Sequence, residues 1–243
     1  MEPRLSAASD TEVRGGRRLF TAHPYAPERA TVNNGAMAGG GLVYGPISSY
    51  SRVRILHLVQ TRSDRTIGEL CDATGLHANT VREHLQRLIE GGYVIAATER
   101  RTTRGRPRTL YSAATGAPGA SSPVARDKVA EAARRGDLMR RMLDEDDSDL
   151  GREATYQLDA LVEHLEESGF EPVLDEQALT LELSPCPHAA SRPEHRPTLC
   201  QVHLGLMQGV LTQAGGPLVA ECVLAASRTE DCTVQLRLAA PAA

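Results

Sequence analysis

From Ser51 onward the apolar positions of the chain fall at helical spacing. In "SRVRILHLVQ" the residues Val53, Leu56 and Val59 mark one face of a first helix. A second helix is predicted at "TIGELCDATG", where Thr66 and Glu69 have the Thr-x-x-Glu spacing of a capping box and Gly75 supplies the turn that follows. A third, "ANTVREHLQRLIEGG", sets Val81, Leu85 and Leu88 on one face and stops at Gly91 and Gly92. The pattern then changes period. "YVIAATERRTTRGRPRTLYSA" has β-rich arms at 93–98 and 109–112 around an arginine-rich middle, which predicts a hairpin with a basic tip. Past a Gly/Ala/Ser/Pro stretch at 113–123, "VARDKVAEAARRGDLMRRML" is helical, and the acidic "DEDDSD" is a solvated turn. "GREATYQLDALVEHLEESG" is a further helix with Leu158, Leu161, Val162 and Leu165 on one face and Gly169 as its stop. Short strands are expected at 170–174, 178–183, 217–225 and 232–238, with a helix at 198–213.

Helix, helix, glycine turn, helix and basic hairpin is the plan of a winged helix-turn-helix domain. The predicted class is α+β: this N-terminal domain at 48–112, a linker at 113–123, and an α+β sensing and dimerisation domain at 124–243. Residues 1–47, with "NNGAMAGGG" and no apolar periodicity, are expected to be a disordered extension, and Met37 offers a second candidate start.

Charge sharpens this picture. The net charge is −4, yet residues 50–112 hold eleven Arg against six Asp or Glu, so this segment is at +5 and the remainder at −9. The basic charge is local, as an electrostatic footprint for nucleic acid requires. With no Trp and 3% aromatic residues, the composition argues against a base-stacking platform for single strands, and the order and spacing of the helices and hairpin make duplex DNA the predicted partner. With Val81, Leu85 and Leu88 buried, the third helix presents Asn79, Thr80, Arg82, Glu83 and Arg87 outward, groups able to bond base edges or phosphates. In the hairpin tip, Arg100, Arg101, Arg104, Arg106 and Arg108 suit the minor groove or its flanking phosphates. No run approaches the roughly eighteen apolar residues of a membrane span, and charges scatter through the first thirty residues, so the expected location is the cytoplasm, with no membrane partner.

The cysteines are Cys71, Cys186, Cys200, Cys222 and Cys232, an odd number that argues against a disulfide framework in a reducing compartment. Cys71, within the second helix, and Cys222, in the middle of an apolar strand, read as small core hydrophobes. The other three differ. Cys186 precedes Pro187 and offers its thiol from an extended loop. Thr198 and Gln201 repeat the capping-box spacing, which sets Cys200 in the first turn of its helix, where free N–H groups favour a thiolate. Cys232 opens the last strand after a polar turn.

The two sets of residues together, "SRVRIL…TIGEL…GLHANTVREHLQRLIEGGYV…RGRPRTLY" and "CP…LC..H.GLMQGVL…C.V.L", resemble the SufR-type regulators, winged-helix repressors of iron–sulfur cluster biogenesis genes. The resemblance runs from about residue 50 to 238, and its cysteine part is the more specific. It implies that Cys186, Cys200 and Cys232 hold a [4Fe-4S] cluster, that the protein is a homodimer, and that operator affinity depends on the cluster. His188 stands where the family has an aromatic residue, and the fourth iron ligand stays open: His203, at i+3 from Cys200, is one candidate, with Cys222 and Asp231 behind it. Soft thiolates also hold zinc, so a Cys3His zinc site in an ArsR-like metal-responsive regulator is the alternative, and the choice of iron–sulfur rests on the resemblance. A metal-free thiol switch or a thiol enzyme is a third reading. Against the enzyme stand the missing C-x-x-C and the absence of a recognisable nucleophile–base spacing or phosphate loop. The predicted mechanism has two chains pairing through 124–168 and presenting their third helices to a pseudo-palindromic operator.

Overall fold

A computed structural model describes residues 49–100, 106–143, 150–184, 191–225 and 232–239. Three short helices open the described chain: α1 (Tyr50–Thr61), α2 (Ile67–Thr74) and α3 (Ala78–Glu90). Their boundaries follow local chemistry. Thr66 Oγ1 accepts from the Glu69 N–H at 3.3 Å while the Thr66 N–H donates to Glu69 Oε2 at 2.8 Å, the reciprocal cap expected from the sequence. Those bonds from Thr66 hold the Glu69 carboxyl down to about 2. Gly75 ends α2 at φ 72°, a conformation that costs glycine little. His77 caps α3 with its ring, Nδ1 accepting from the Asn79 N–H at 3.3 Å.

Strands β1 (Val94–Thr98) and β2 (Thr109–Ala113) pair antiparallel from Val94↔Ala113 to Thr98↔Thr109. Arg65 bridges to Tyr111 at the other edge of β2. Val53, Leu56 and Val59 of α1, Leu70 of α2, and Val81, Leu85 and Leu88 of α3 close over Val94 and Ala113 as one core. Each buried Val or Leu contributes about 1.5–3 kcal/mol.

Residues 113–123, linker-like in composition, form a compact turn. The Thr115 and Gly116 N–H groups both donate to the Ala120 carbonyl, and Ser121 bonds the Gln213 side chain. Helix α4 (Pro123–Leu143) then runs antiparallel to α5 (Arg152–Glu167). Lys128–Glu167, Arg135–Glu163 and Arg140–Asp159 clamp the two helices like rungs. Only the last is buried, and there the Asp159 carboxylate packs against Gly136, where any Cβ would collide with it.

Strands β3 (Glu171–Asp175), β4 (Thr180–Ser184), β5 (Leu218–Ala225) and β6 (Cys232–Leu238) form an antiparallel sheet in the order β3-β4-β6-β5. Leu181, Leu183, Val234 and Leu236 alternate onto one face, which α5 covers with Leu158, Leu161 and Leu165. Helix α6 (Arg196–Ala214) completes this core with Met207 and Leu211. It also sends Leu199, Val202 and Leu206 into the core of the N-terminal domain. One helix thus belongs to both hydrophobic cores. The architecture is α+β, a winged helix-turn-helix followed by an α+β region.

Two expectations about α6 change. A 3₁₀ turn at Pro193–His195 leads straight into the helix, which starts at Arg196, so Thr198 lies inside it and forms no capping box with Gln201. Cys200 is therefore one turn in, beyond the four N–H groups that a helix start leaves unpaired.

Candidate nucleic-acid interface and the thiol end of the sheet

Burial of Val81, Leu85 and Leu88 fixes the rotation of α3, and Asn79, Arg82, Glu83 and Arg87 stand exposed on its outer face, with Thr80 half-buried beside them. The Arg82 guanidinium donates to Asn79 Oδ1 at 2.9 Å, which orders two polar groups near the start of the helix. Under α3, burial and then the neighbouring Arg52 and Arg87 charges push the His84 imidazole below its usual value, with Glu83 opposing. The wing keeps Arg100, Arg106 and Arg108 exposed near its tip, where the Glu99 N–H donates to the Arg108 carbonyl at 2.8 Å. Arg101 and Arg104 lie outside the described residues. An exposed helix face rich in Asn and Arg beside an arginine-bearing hairpin matches the major groove and its flanking phosphates.

The other candidate group sits at one end of the four-stranded sheet. Glu171 pairs with Ser184, Leu183 with Cys232, and Cys232 with Ala225, so β3 and β6 begin where β4 and β5 end. Phe170, just before β3, stacks on the His203 ring of α6 at 4.6 Å and 6°. Cys200 is one turn from His203 and exposed, whereas Cys232 is half-buried against the sheet core. Cys186 lies outside the described residues, as do His188 and Asp231, but β4 ends two positions before it. Among the described residues no group of three or more His, Cys, Asp or Glu side chains is arranged around a common metal position. His203, the first candidate for a fourth ligand, is buried and packed on the Phe170 ring, 33 positions away in sequence. Cys71 packs against the N-terminal core, in keeping with a packing role, and Cys222 sits half-buried at a bulge between β5 and β6.

Sequence reasoning missed the tie between this end of the sheet and the DNA-reading head. His195, in the turn before α6, stacks on Tyr50 of α1 with centroids 3.4 Å apart. Gln60 of α1 donates to the Val202 carbonyl at 3.3 Å, and Gly205 leaves the space its amide occupies, since a Cβ there would lie 2.6 Å from it. No local signal announces such contacts, because each joins residues more than a hundred positions apart.

A helix-turn-helix with an antiparallel wing and a basic outer face defines a DNA-binding transcriptional regulator. Residues 49–96, about one fifth of the chain, match the family model of the bacterial regulatory proteins of the arsR family, and that similarity covers α1 to α3 and most of β1. Neither the curated proteins nor the solved structures contain a match to this chain. Among the described residues no helix is long and apolar enough to cross a membrane.

Proposed function

We propose that this regulator is a homodimeric repressor whose operator affinity is set by a [4Fe-4S] cluster held by Cys186, Cys200 and Cys232, acting on iron–sulfur cluster biogenesis genes. The observation that carries the reading is the position of α6. It bears Cys200 one turn from its start and, at the next residue but one and beyond, Val202 and Leu206, which are buried in the DNA-reading head together with Leu199. The donor set suits such a group: Cys232 pairs opposite Leu183, three positions before Cys186, at the same end of the sheet as the His203 turn of α6. When bound, the cluster supplies iron–thiolate bonds that depend on iron supply and oxidation. The chain does the rest. Cys200 draws on α6, α6 bears on α1 through Val202 and Gln60, and α1 packs beside α3, whose exposed Asn79, Arg82, Glu83 and Arg87, with Thr80, read the major groove. The wing arginines Arg101, Arg104, Arg106 and Arg108 hold the flanking DNA.

Dimerisation has its own support. Leu138 and Met142, 56% and 71% exposed, are four residues apart on one face of α4. Large aliphatic side chains so exposed suit a seam between two copies.

Anaerobic purification followed by iron, sulfide and zinc analysis and a visible spectrum tests the proposal. Iron and sulfide near about four each per chain support it. Zinc at one per chain in colourless protein favours the Cys3His reading, for which His203 beside the Cys200 turn is the fourth donor. The Cys200→Ser variant should lose the colour and change operator affinity; unaltered affinity with and without iron refutes the coupling.

A further inference from the structure

A cavity of about 350 Å³ lies between the DNA-reading head and the helices of the C-terminal domain. The base of the wing at Gly92, Tyr93 and Ala114 forms one wall, and α4, α5 and α6 form the others. The cavity is open to solvent on the side of the half-exposed Lys128, Glu167 and Arg135, and its volume reaches the roughly 300 Å³ at which small-molecule pockets begin.

Its construction keeps it open. Ala125, Ala132, Ala160 and Gly209 line it with side chains too short to fill it. The Lys128–Glu167 and Arg135–Glu163 pairs, at 2.8 and 2.6 Å, hold α4 and α5 at their spacing. Opposite them, the turn after β2 already touches α6 backbone to backbone, since a Cβ at Gly116 would lie 2.5 Å from the Gln213 nitrogen and 2.6 Å from the Gly209 oxygen. That wall cannot move inward.

The lining selects a ligand. Val129, Leu206 and Val210 make an apolar floor. Four carboxylates, Asp127, Glu131, Glu163 and Glu167, outnumber Lys128 and Arg135, and each of these two cations is already paired with one of them. An anion would enter without a free positive partner among the described lining residues. His164 adds one polar feature: its Nε2 is buried and has no hydrogen-bond partner among the described residues. Burial holds the ring neutral, its pKa lowered to about 4. A buried ring nitrogen without a partner is costly.

We propose that this cavity binds a compact, mainly apolar molecule, neutral or cationic, and that its occupancy shifts operator affinity. The coupling follows from walls drawn from both domains. The site is separate from the thiols and does not rest on the cluster.

The test titrates the full chain with N-phenyl-1-naphthylamine, a neutral naphthyl amine that fluoresces in apolar surroundings, and with 8-anilinonaphthalene-1-sulfonate, the same ring system bearing an anionic group. The expected result is saturable binding of the neutral probe at one site per chain, with the sulfonate weaker by about tenfold or more because its charge would be desolvated unpaired. Ala125→Leu and Ala160→Leu, on different walls, should each weaken the neutral probe about tenfold while circular dichroism stays unchanged. Cys200→Ser should leave its binding as it was, which separates this site from the thiols. Saturating probe should shift operator affinity about threefold or more. Absence of saturable binding, equal binding of the sulfonate, or full binding by both folded cavity-filling variants overturns the site; unchanged operator affinity overturns the coupling.

Discussion

The buried side chain of Gln157 makes three hydrogen bonds within the C-terminal core, and replacing it with Leu should cost about 2–4 kcal/mol. The residue is 1% exposed in the middle of α5. Its Nε2 donates to the carbonyls of Leu211 and Leu218 at 2.9 and 3.0 Å, and its Oε1 accepts from the Leu218 N–H at 2.6 Å. It therefore stitches α5 to the last turn of α6 and the first residue of β5. Leucine has nearly the right volume but bonds none of the three groups. The Leu211 carbonyl keeps the Gly215 N–H as a partner at 3.2 Å, so the loss concentrates on the two polar groups of Leu218. A buried group stripped of its partner costs about 1–3 kcal/mol, and the better burial of an aliphatic side chain returns part of it. Urea unfolding followed by far-ultraviolet circular dichroism measures the difference, and Gln201→Ala, at an exposed position of α6, is the control expected within about 0.5 kcal/mol of the parent. Gly216→Ala should reproduce the defect from the other side, because a Cβ there would lie 2.6 Å from Gln157 Oε1 and 3.0 Å from the Glu153 carbonyl. A Gln157→Leu protein within about 0.5 kcal/mol of the parent would refute the reasoning.

Three further outcomes are expected. His164 is held to about 4 by burial, with Lys128 adding to and Glu167 opposing the shift, so the folded state resists its proton: stability is complete above the unfolded value of 6.5 and falls by about 3 kcal/mol as pH drops from there through 4. His164→Leu should flatten that part of the stability curve, and an unchanged slope would show that another group carries it. Arg82→Ala and Arg87→Ala should each weaken operator binding by about 1–3 kcal/mol with the fold intact, measured by fluorescence anisotropy at fixed salt. The double variant Leu138→Lys with Met142→Lys should halve the mass seen by light scattering and leave the circular dichroism spectrum unaltered, whereas a parent that is already monomeric removes α4 as the seam.

Local chemistry explains which parts were legible in the sequence. The capping pair Thr66 and Glu69, the left-handed Gly75 and the stripe Val81, Leu85, Leu88 each act within one or two turns of chain, so residue spacing alone carries them. The same spacing misled at Thr198 and Gln201. There the prolines at 193 and 197 and the 3₁₀ turn set the helix start earlier, and a Thr three residues into a helix has no free N–H pattern to cap. Composition marked 113–123 as a linker but not its packing: its glycines let the turn approach α6, with Gly116 at φ 77° against Gly209. The burial of His203 against Phe170 and the cavity beside His164 arise from packing between distant segments and leave no periodic trace.

The two buried faces of α6 give these observations a common consequence. Leu199, Val202 and Leu206 follow i, i+3, i+7, and Met207 with Leu211 forms a second row about 100° further round, so the helix is a shared rod and not a surface element. A rod packed on both sides to crystal-like density does not bend locally; it shifts as a unit. Cys200 lies near its start and Gly209, in the cavity wall, about two and a half turns nearer its end, so both proposed inputs act on one body. Linkage then imposes a reciprocal demand: operator DNA must alter the affinity for the neutral naphthyl probe by the same factor by which the probe alters affinity for DNA. Measuring both factors on the Cys200→Ser protein isolates the cavity arm, and factors that disagree beyond error would mean that the two sites do not bias the same equilibrium.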